Sequence, residues 1–166
     1  MSTDAIVLLK EDHKEMRRLF KAFQDAEEGP ASKRKQLVGQ IIEALTVHTY
    51  LENEVMYPEV RKLLPDLEDD ILESYEEHHV ADLLCAELFT MDAEDEHFTA
   101  KTTVLIENVL HHVEEEEQEW FPKVREALGR KQLQEIGERM IELRDGAPRK
   151  PTDPKALKKS LHAVTA

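Results

Sequence analysis

The sequence is poor in glycine and cysteine, and it has no long apolar run. Five glycines in 166 residues, few clusters of β-branched residues, and much glutamate, lysine, leucine and alanine favour helices. The single cysteine, Cys85, excludes an internal disulfide and is typical of a reducing cytosol. No apolar run approaches the ~18 residues of a membrane span, and the first apolar run is too short for a signal peptide. We therefore expect an all-α, cytoplasmic protein with no membrane partner.

Positive charge is scarce outside the C-terminal end of the chain. The 22 lysines and arginines against 36 aspartates and glutamates give a net charge of −14, which argues against nucleic acid as a partner. Residues 145–166 differ, because they carry five basic residues, two acidic residues and three of the seven prolines. We expect this segment to be a basic, flexible C-terminal tail that is disordered and lies outside the fold.

Apolar residues recur at helical spacing along four long segments, which are separated by the breaks EEGPAS, LLPD and MDAEDEH. Short connections between long helices favour antiparallel neighbours. The sequence therefore predicts an antiparallel up-down-up-down four-helix bundle over residues 1–129, with Gly129 as a C-terminal cap. A short, additional amphipathic helix is predicted at residues 130–144, before the tail.

One spacing of histidine, glutamate and proline occurs twice in the chain. His48, Glu52 and Pro58 are followed 64 residues later by a matching set, His112, Glu116 and Pro122. A further histidine precedes each copy, because Asp12-His13 aligns with Glu77-His78 at an offset of 65. The chain thus contains two copies of one helical hairpin, each with a histidine followed by a His-x-x-x-Glu motif. Pro58 and Pro122 are predicted to kink or stop their helices just past the motif.

The repeated residues are predicted to lie at one level of the bundle. Residues equidistant from the turn of an antiparallel hairpin are level, and the midpoint of His13 and His48 falls within EEGPAS. The midpoint of His78 and His112 falls within MDAEDEH. The histidines of the two His-x-x-x-Glu motifs continue apolar core stripes, and residues four apart point in similar directions. Because a buried glutamate is costly unless it is paired or binds a metal, this layer predicts a metal site.

The donor set favours two metal ions over one. A single structural zinc ion takes four ligands, usually with thiolate among them, whereas this layer offers four imidazoles and two carboxylates from opposite helices. We expect two non-haem iron ions, with manganese or zinc as alternatives. The ferritin-like order Glu-x-x-His is absent, so the chain is a different kind of di-metal bundle. The candidate metal ligands are His13, His48, Glu52, His78, His112 and Glu116.

With the aromatic-proline pairs Tyr57-Pro58 and Phe121-Pro122, the pattern resembles the hemerythrin-like, HHE cation-binding proteins over residues ~3–128. The resemblance implies a four-helix bundle around a non-haem di-iron centre that meets O2, NO or peroxide. It also implies the arrangement of the ligands. One iron would be bound by His13 and His48 and the other by His78 and His112, with Glu52 and Glu116 as bridges.

The chain departs from the oxygen-carrying hemerythrins on the third helix. Those proteins resemble this layout but have a fifth histidine, in a His-x-x-x-His pair. Here the residue four after His78 is Asp82, and the residue four before it is Ser74. Asp82 is either a weak seventh ligand or a solvated surface acid. The lack of a fifth histidine favours NO binding, peroxide chemistry or iron sensing over reversible O2 storage.

Two histidines that directly adjoin the candidate ligands leave the register of the motifs open. His79 directly follows His78, although the helical stripe favours His78 as the ligand. His111 and Glu115 form a second His-x-x-x-Glu motif one residue early, and polar neighbours on the same face predict that it is exposed.

Three classes of function are compatible with these residues. The first, which we expect, is a di-iron protein that reacts with or binds peroxide, NO or O2 in oxidative or nitrosative stress protection; turnover like that of a catalase or peroxidase stays open. The second is an iron or O2 sensor or storage protein without turnover. The third is a metal-free or single-zinc structural bundle. We expect a monomer or weak homodimer whose partner is a small molecule.

Overall fold

The computed structural model describes the backbone of residues 2–165 and the side chains of residues 2–159. It is 84% helical and its described part contains no strand, which confirms the predicted all-α class. No helix in this part of the chain is both long and apolar enough to cross a bilayer. The helices are α1 (Ala5–Asp25), α2 (Ala31–Leu51), α3 (Tyr57–Leu63), α4 (Glu68–Thr90), α5 (Phe98–Glu115), α6 (Phe121–Arg144) and α7 (Pro154–Thr165).

Two of the bundle's helical rods pass through a π-helical turn. Glu52–Met56 joins α2 to α3, and Glu116–Trp120 joins α5 to α6. The four rods are therefore α1, α2 with α3, α4, and α5 with the first part of α6, and neighbouring rods pack along the bundle as predicted. Pro58 and Pro122 lie in the first turn of α3 and α6, where a missing N–H is tolerated. The helices thus continue past the two prolines through a widened turn instead of stopping there.

The apolar core is divided into two clusters. One lies towards the N-terminal end of α1 and includes Ile6, Leu9 and Met56. The other lies towards the opposite end of α1 and includes Phe20 and Phe23. The histidine of α1, residue 13, falls between these two sets, so the polar layer of the bundle is enclosed by apolar packing above and below it.

The last part of α6 turns back onto the bundle after a break at Gly129. The backbone there has φ 74° and ψ 176°, a conformation that is essentially restricted to glycine. Residues 130–144 then form the helix that the amphipathic pattern predicted, and Leu133, Ile136 and Met140 join the first apolar cluster. This helix packs tightly, because a Cβ at Gly137 would lie 1.6 Å from the backbone oxygen of Thr3.

The tail differs from the expectation of disorder. The structure has α7 at Pro154–Thr165, and α7 packs against α4. Lys159 is 1% exposed, and its ammonium donates to Asp82 Oδ1 at 2.8 Å and to Thr49 Oγ1 at 2.5 Å. Composition alone could not predict this docking, since it depends on one lysine that finds an acidic partner on α4. The side chains after Lys159 lie outside the described residues.

Candidate metal centre

All six residues predicted from the sequence meet in one buried layer of the bundle. Each of the four rods contributes a histidine, and the two π-helical turns each begin with one of the glutamates. None of the six is more than 6% exposed. Because π-helical turns often occur at functional sites, their position at both glutamates makes this layer the candidate functional site.

Glu52 lies between histidines of two different rods. Its Oε1 is 2.6 Å from His48 Nε2 on its own rod and 3.5 Å from His78 Nε2 on α4. The same atom of His78 is 3.1 Å from His112 Nε2, so three rods converge here. The ligand atoms of Glu52, His78 and His112 all lie within 4.8 Å of one another, a spacing at which they could hold one cation.

Glu116 occupies the corresponding position in the second hairpin. Its Oε2 is 3.3 Å from His13 Nε2, and its Oε1 is 3.4 Å from His112 Nε2. The ligand atoms of His13, His48 and Glu116 form a second group within 4.8 Å. Each carboxylate therefore faces histidines of both groups, which is the arrangement that two bridged cations require.

Several buried atoms of the layer have no hydrogen bond of acceptable geometry. They are His13 Nε2, His48 Nε2, both carboxylate oxygens of Glu52, and Glu116 Oε2. An unsatisfied buried polar group costs about 1–3 kcal/mol, and more when it is charged. Imidazole nitrogens and carboxylate oxygens that converge without protein donors fit first-row divalent cations. The residues present therefore fit a pair of metal ions.

The outward nitrogens of His13 and His48 are held by carboxylates. His13 Nδ1 donates to Glu117 Oε1 at 2.9 Å, and His48 Nδ1 donates to Asp12 Oδ2 at 3.1 Å. These hydrogen bonds place the proton on Nδ1 and leave the lone pair of Nε2 facing the layer, as a metal ligand requires. Such oxygen acceptors also raise the basicity of the imidazole.

The second pair of histidines has equivalent partners. His78 Nδ1 donates to Asn53 Oδ1 at 2.7 Å, and His112 Nδ1 is 3.4 Å from Glu77 Oε2. Asn53 corresponds to Glu117 in the repeat, and Glu77 corresponds to Asp12. The outward partners therefore obey the same repeat as the histidines. The sequence analysis did not assign these four residues, although extending the repeat by one residue on each side would have found them.

Arginines hold two of these outward carboxylates. Arg17 makes two contacts of 3.0 Å with Glu117, and Arg144 lies 2.9 Å from Asp12 Oδ2. Burial raises the pKa of Asp12, but hydrogen bonds and charge from His48 and Arg144 outweigh this and lower it. The carboxylates therefore remain charged acceptors for the imidazoles.

Tyr57 adds a hydroxyl group to one side of the layer. Its O–H donates to Glu116 Oε1 at 2.7 Å, and its oxygen is 3.2 Å from His78 Nε2. Burial and the charges of Glu116 and Glu52 raise the pKa of Tyr57 well above its usual 10, so the phenol keeps its proton. In the sequence, Tyr57 stands out only as a member of the aromatic-proline pair Tyr57-Pro58. The repeat marks this position, because the residue that corresponds to Tyr57 in the second hairpin is Phe121, which has no hydroxyl group.

The carboxylates also control the protonation of the layer. Burial by itself lowers the pKa of His48, but the charge of the adjacent Glu52 and the hydrogen bond and charge of Asp12 raise it to about 10. The pKa of Glu52 is well below its usual value despite its burial, because of His48 and His78. Burial by itself also lowers the pKa of His112, but Glu116 and Glu77 raise it well above its usual value. Protons on His48 and His112 would therefore balance the buried carboxylates without a cation. A bound metal ion would take over that balance, so its binding would release protons.

The structure separates the alternatives that the sequence left open. His78 lies in the layer, whereas His79 is half-buried and lines a different cavity. His111 is exposed, with its Nε2 3.2 Å from Glu115 Oε1. Asp82 is paired with Lys159 and belongs to neither buried group of ligand atoms.

A small, largely apolar cavity borders the layer. Its volume is about 10 Å³, and its walls include Met16, Leu45 and Val109 together with three of the histidines, His48, His78 and His112. A cavity of about this size holds one water-sized molecule. The layer therefore has room beside its histidines for a very small ligand.

Comparison with known proteins agrees with this geometry. The family model described as hemerythrin HHE cation binding domain matches residues 4–124. A DNA nickase from Nostoc sp. is 28% identical over 128 residues, which make up 77% of this chain and 35% of the nickase. The chain thus spans about a third of that relative's length. No solved structure gives a significant match.

Proposed function

The chain belongs to the family of hemerythrin HHE cation-binding domains, and on that premise we propose that its buried layer binds two non-haem iron ions which act on a small oxidant or diatomic gas. The observation that carries this proposal is the pair of buried glutamates, each of which faces histidines of two rods. Both oxygens of Glu52 and Oε2 of Glu116 have no protein hydrogen-bond donor. His13, His48 and Glu116 would hold one ion, and Glu52, His78 and His112 would hold the other, while each glutamate also faces a histidine of the other group.

The side chains around the layer would have separate roles at the metal centre. Bound ferrous iron would supply electrons and a position for a small oxidant. The outward acceptors hold His13, His48 and His78 in one tautomer, while the apolar cavity offers room for a very small molecule beside three of the histidines. Tyr57 keeps a protonated hydroxyl among Glu116, His78 and His112, where it is placed to donate a hydrogen bond or a proton.

The missing fifth histidine favours reaction over storage. The two positions that could carry a fifth histidine hold Asp82 and Ser74, and both side chains have other partners. Lys159 donates to Asp82, and the hydroxyl of Ser74 donates to the backbone oxygen of Asp70 at 3.0 Å. A less saturated centre leaves more exchangeable positions for peroxide or NO. We therefore propose a role in oxidative or nitrosative stress protection, carried out in the cytoplasm.

Metal content and peroxide decay test the proposal together. Protein loaded with iron under air should hold two irons per chain and decompose peroxide catalytically. Glu116→Ala should lose iron and activity, whereas Glu115→Ala, one residue away and outside both buried groups, should still hold two irons and keep its activity once loading is complete. Zinc as the sole metal of native protein would exclude the di-iron centre, and equal effects of the two substitutions would exclude the assigned register.

The second candidate is an iron or O2 sensor or storage protein without turnover. It is favoured by the burial of the layer, because none of its six side chains is more than 6% exposed. Two bound irons with no catalytic decay of peroxide would support this candidate over the first.

A further inference from the structure

A pocket leads from the protein surface to one side of the metal layer. It lies between α4 and the junction of α5 with α6 and has a volume of about 90 Å³. Two proposed ligands, His112 and Glu116, form part of its wall. The other wall residues include five carboxylates and one cation, Lys123, which is 3.5 Å from Asp70. The carboxylates belong to Asp70, Glu73, Glu77, Glu115 and Glu119.

Three side chains at this pocket form a separate group with metal-binding spacing. The ligand atoms of Glu77, His111 and Glu115 all lie within 4.8 Å of one another. Glu77 and Glu115 belong to the pocket wall, and His111 stands next to His112 on α5. One imidazole and two carboxylates, completed by water, suit a first-row divalent cation.

Acidic side chains at a surface do not by themselves indicate a site, but this pocket also holds unsatisfied polar atoms. Glu116 is 2% exposed and Trp120 is 5% exposed, and both line the pocket. Trp120 Nε1 is buried without a hydrogen-bond partner, and Glu77 Oε2, which is 3.4 Å from His112 Nδ1, has no hydrogen bond of acceptable geometry. A hydrated cation in the pocket would give the carboxylates a counter-charge and would give the indole N–H a water oxygen as acceptor.

We propose that Glu77, His111 and Glu115 form an outer binding site where a divalent first-row cation is captured before it passes through the pocket to the buried layer. Glu77 connects the two places, because the same carboxylate faces both the outer group and His112 Nδ1. Five carboxylates against one lysine attract cations and raise their local concentration at the entrance. The outer site itself does not depend on which metal fills the layer, whereas its role in delivery rests on the proposed di-metal centre.

The test uses cobalt(II) as the probe and a matched pair of double variants of the full chain. His111→Ala with Glu115→Gln removes the outer group, and both side chains are exposed, so the fold should be unaffected. Glu96→Gln with His97→Ala removes another exposed histidine-glutamate pair, 3.6 Å apart, which belongs to no such group of three among the described residues.

Calorimetric titration of chelator-treated protein should give two tight equivalents of cobalt(II) and a third, weaker one. The outer variant should lose only the third equivalent, and its stopped-flow uptake into the buried layer should be slower by about tenfold, while the control variant matches the parent. A third equivalent that persists in the outer variant would overturn the site. An unchanged rate of cobalt(II) uptake in the outer variant would overturn the role of the outer site in delivery. Absence of the two tight equivalents in the parent would instead contradict the proposed di-metal centre.

Discussion

At the scale of single residues, the outward hydrogen bonds of the histidines determine how firmly the layer holds a cation. Among the four outward partners of the histidines, Asn53 is the one neutral side chain. Its Oδ1 accepts a hydrogen bond from His78 Nδ1 at 2.7 Å. Asn53→Ala should lower metal affinity by about 10–100-fold, because His78 would lose the partner that orients its ring and sets its tautomer.

Competition with a chromogenic chelator measures this loss. Gln36→Ala is the control, since Gln36 is an exposed amide residue of α2. Equal affinities of the Asn53 and Gln36 variants would show that the hydrogen bond to His78 does not position a ligand.

The same residues show what the sequence could and could not predict about the site. The histidines and glutamates were predictable because two copies of one spacing placed them at one level. The outward partners were missed because Asn53 and Glu117 differ in charge and so looked unrelated. Both side chains offer an oxygen that accepts from an imidazole N–H, and hydrogen-bonding capacity is the property that the repeat preserves.

At the scale of secondary structure, two glycines should respond oppositely to the same substitution. Gly129 has φ 74° and ψ 176°, so Gly129→Ala should destabilise the fold by about 1–3 kcal/mol. Gly39 lies exposed within α2, and a Cβ there would meet nothing within 4 Å. Gly39→Ala should therefore stabilise the fold by about 0.5–1 kcal/mol.

Urea unfolding of both variants in the same metal state measures these changes. A Gly129 variant as stable as the parent would show that the break in α6 relaxes without strain, against the backbone geometry described here.

The docking of α7 is a second feature at this scale. Lys159→Met removes the ammonium that contacts Asp82 and Thr49, and it should destabilise α7 by about 1–3 kcal/mol. Amide hydrogen exchange of residues 154–165 should then quicken. Lys158→Met is the control, because Lys158 is exposed. If exchange in α7 is the same in both variants, the buried lysine does not hold the helix.

At the scale of the whole molecule, the charge balance bears on the resemblance to a DNA nickase. A net charge of −14 repels the phosphate backbone, so we expect no binding to DNA. Iron-loaded protein incubated with supercoiled plasmid should leave it intact at low salt, where electrostatic binding would be strongest. Nicking that disappears in Glu116→Ala would mean that this domain carries such an activity by itself, and our expectation would be wrong.

Most of the overall architecture followed from the sequence. Helical periodicity and three clear breaks predicted the bundle, and the midpoints of those breaks predicted the level of the polar layer. The two π-helical turns were not predictable, because hydrophobic spacing does not distinguish one additional residue in a turn from a kink at Pro58 or Pro122. The docking of the tail was missed for a different reason: composition describes an average, whereas Lys159 acts through one specific ion pair.

The glutamate of each hairpin lies in the group of ligand atoms of the other hairpin, and this arrangement has a consequence for symmetry. Each group of ligand atoms takes its histidines from one hairpin and its carboxylate from the other. A single hairpin could therefore complete the centre only as an isologous dimer that trades glutamates across a two-fold axis. Because both hairpins belong to one chain, their sequences need not be identical. Tyr57 now faces one group while Phe121 stacks on His13 at 5.7 Å in the other, so the two cations would have neighbours that no symmetric pair of subunits could provide.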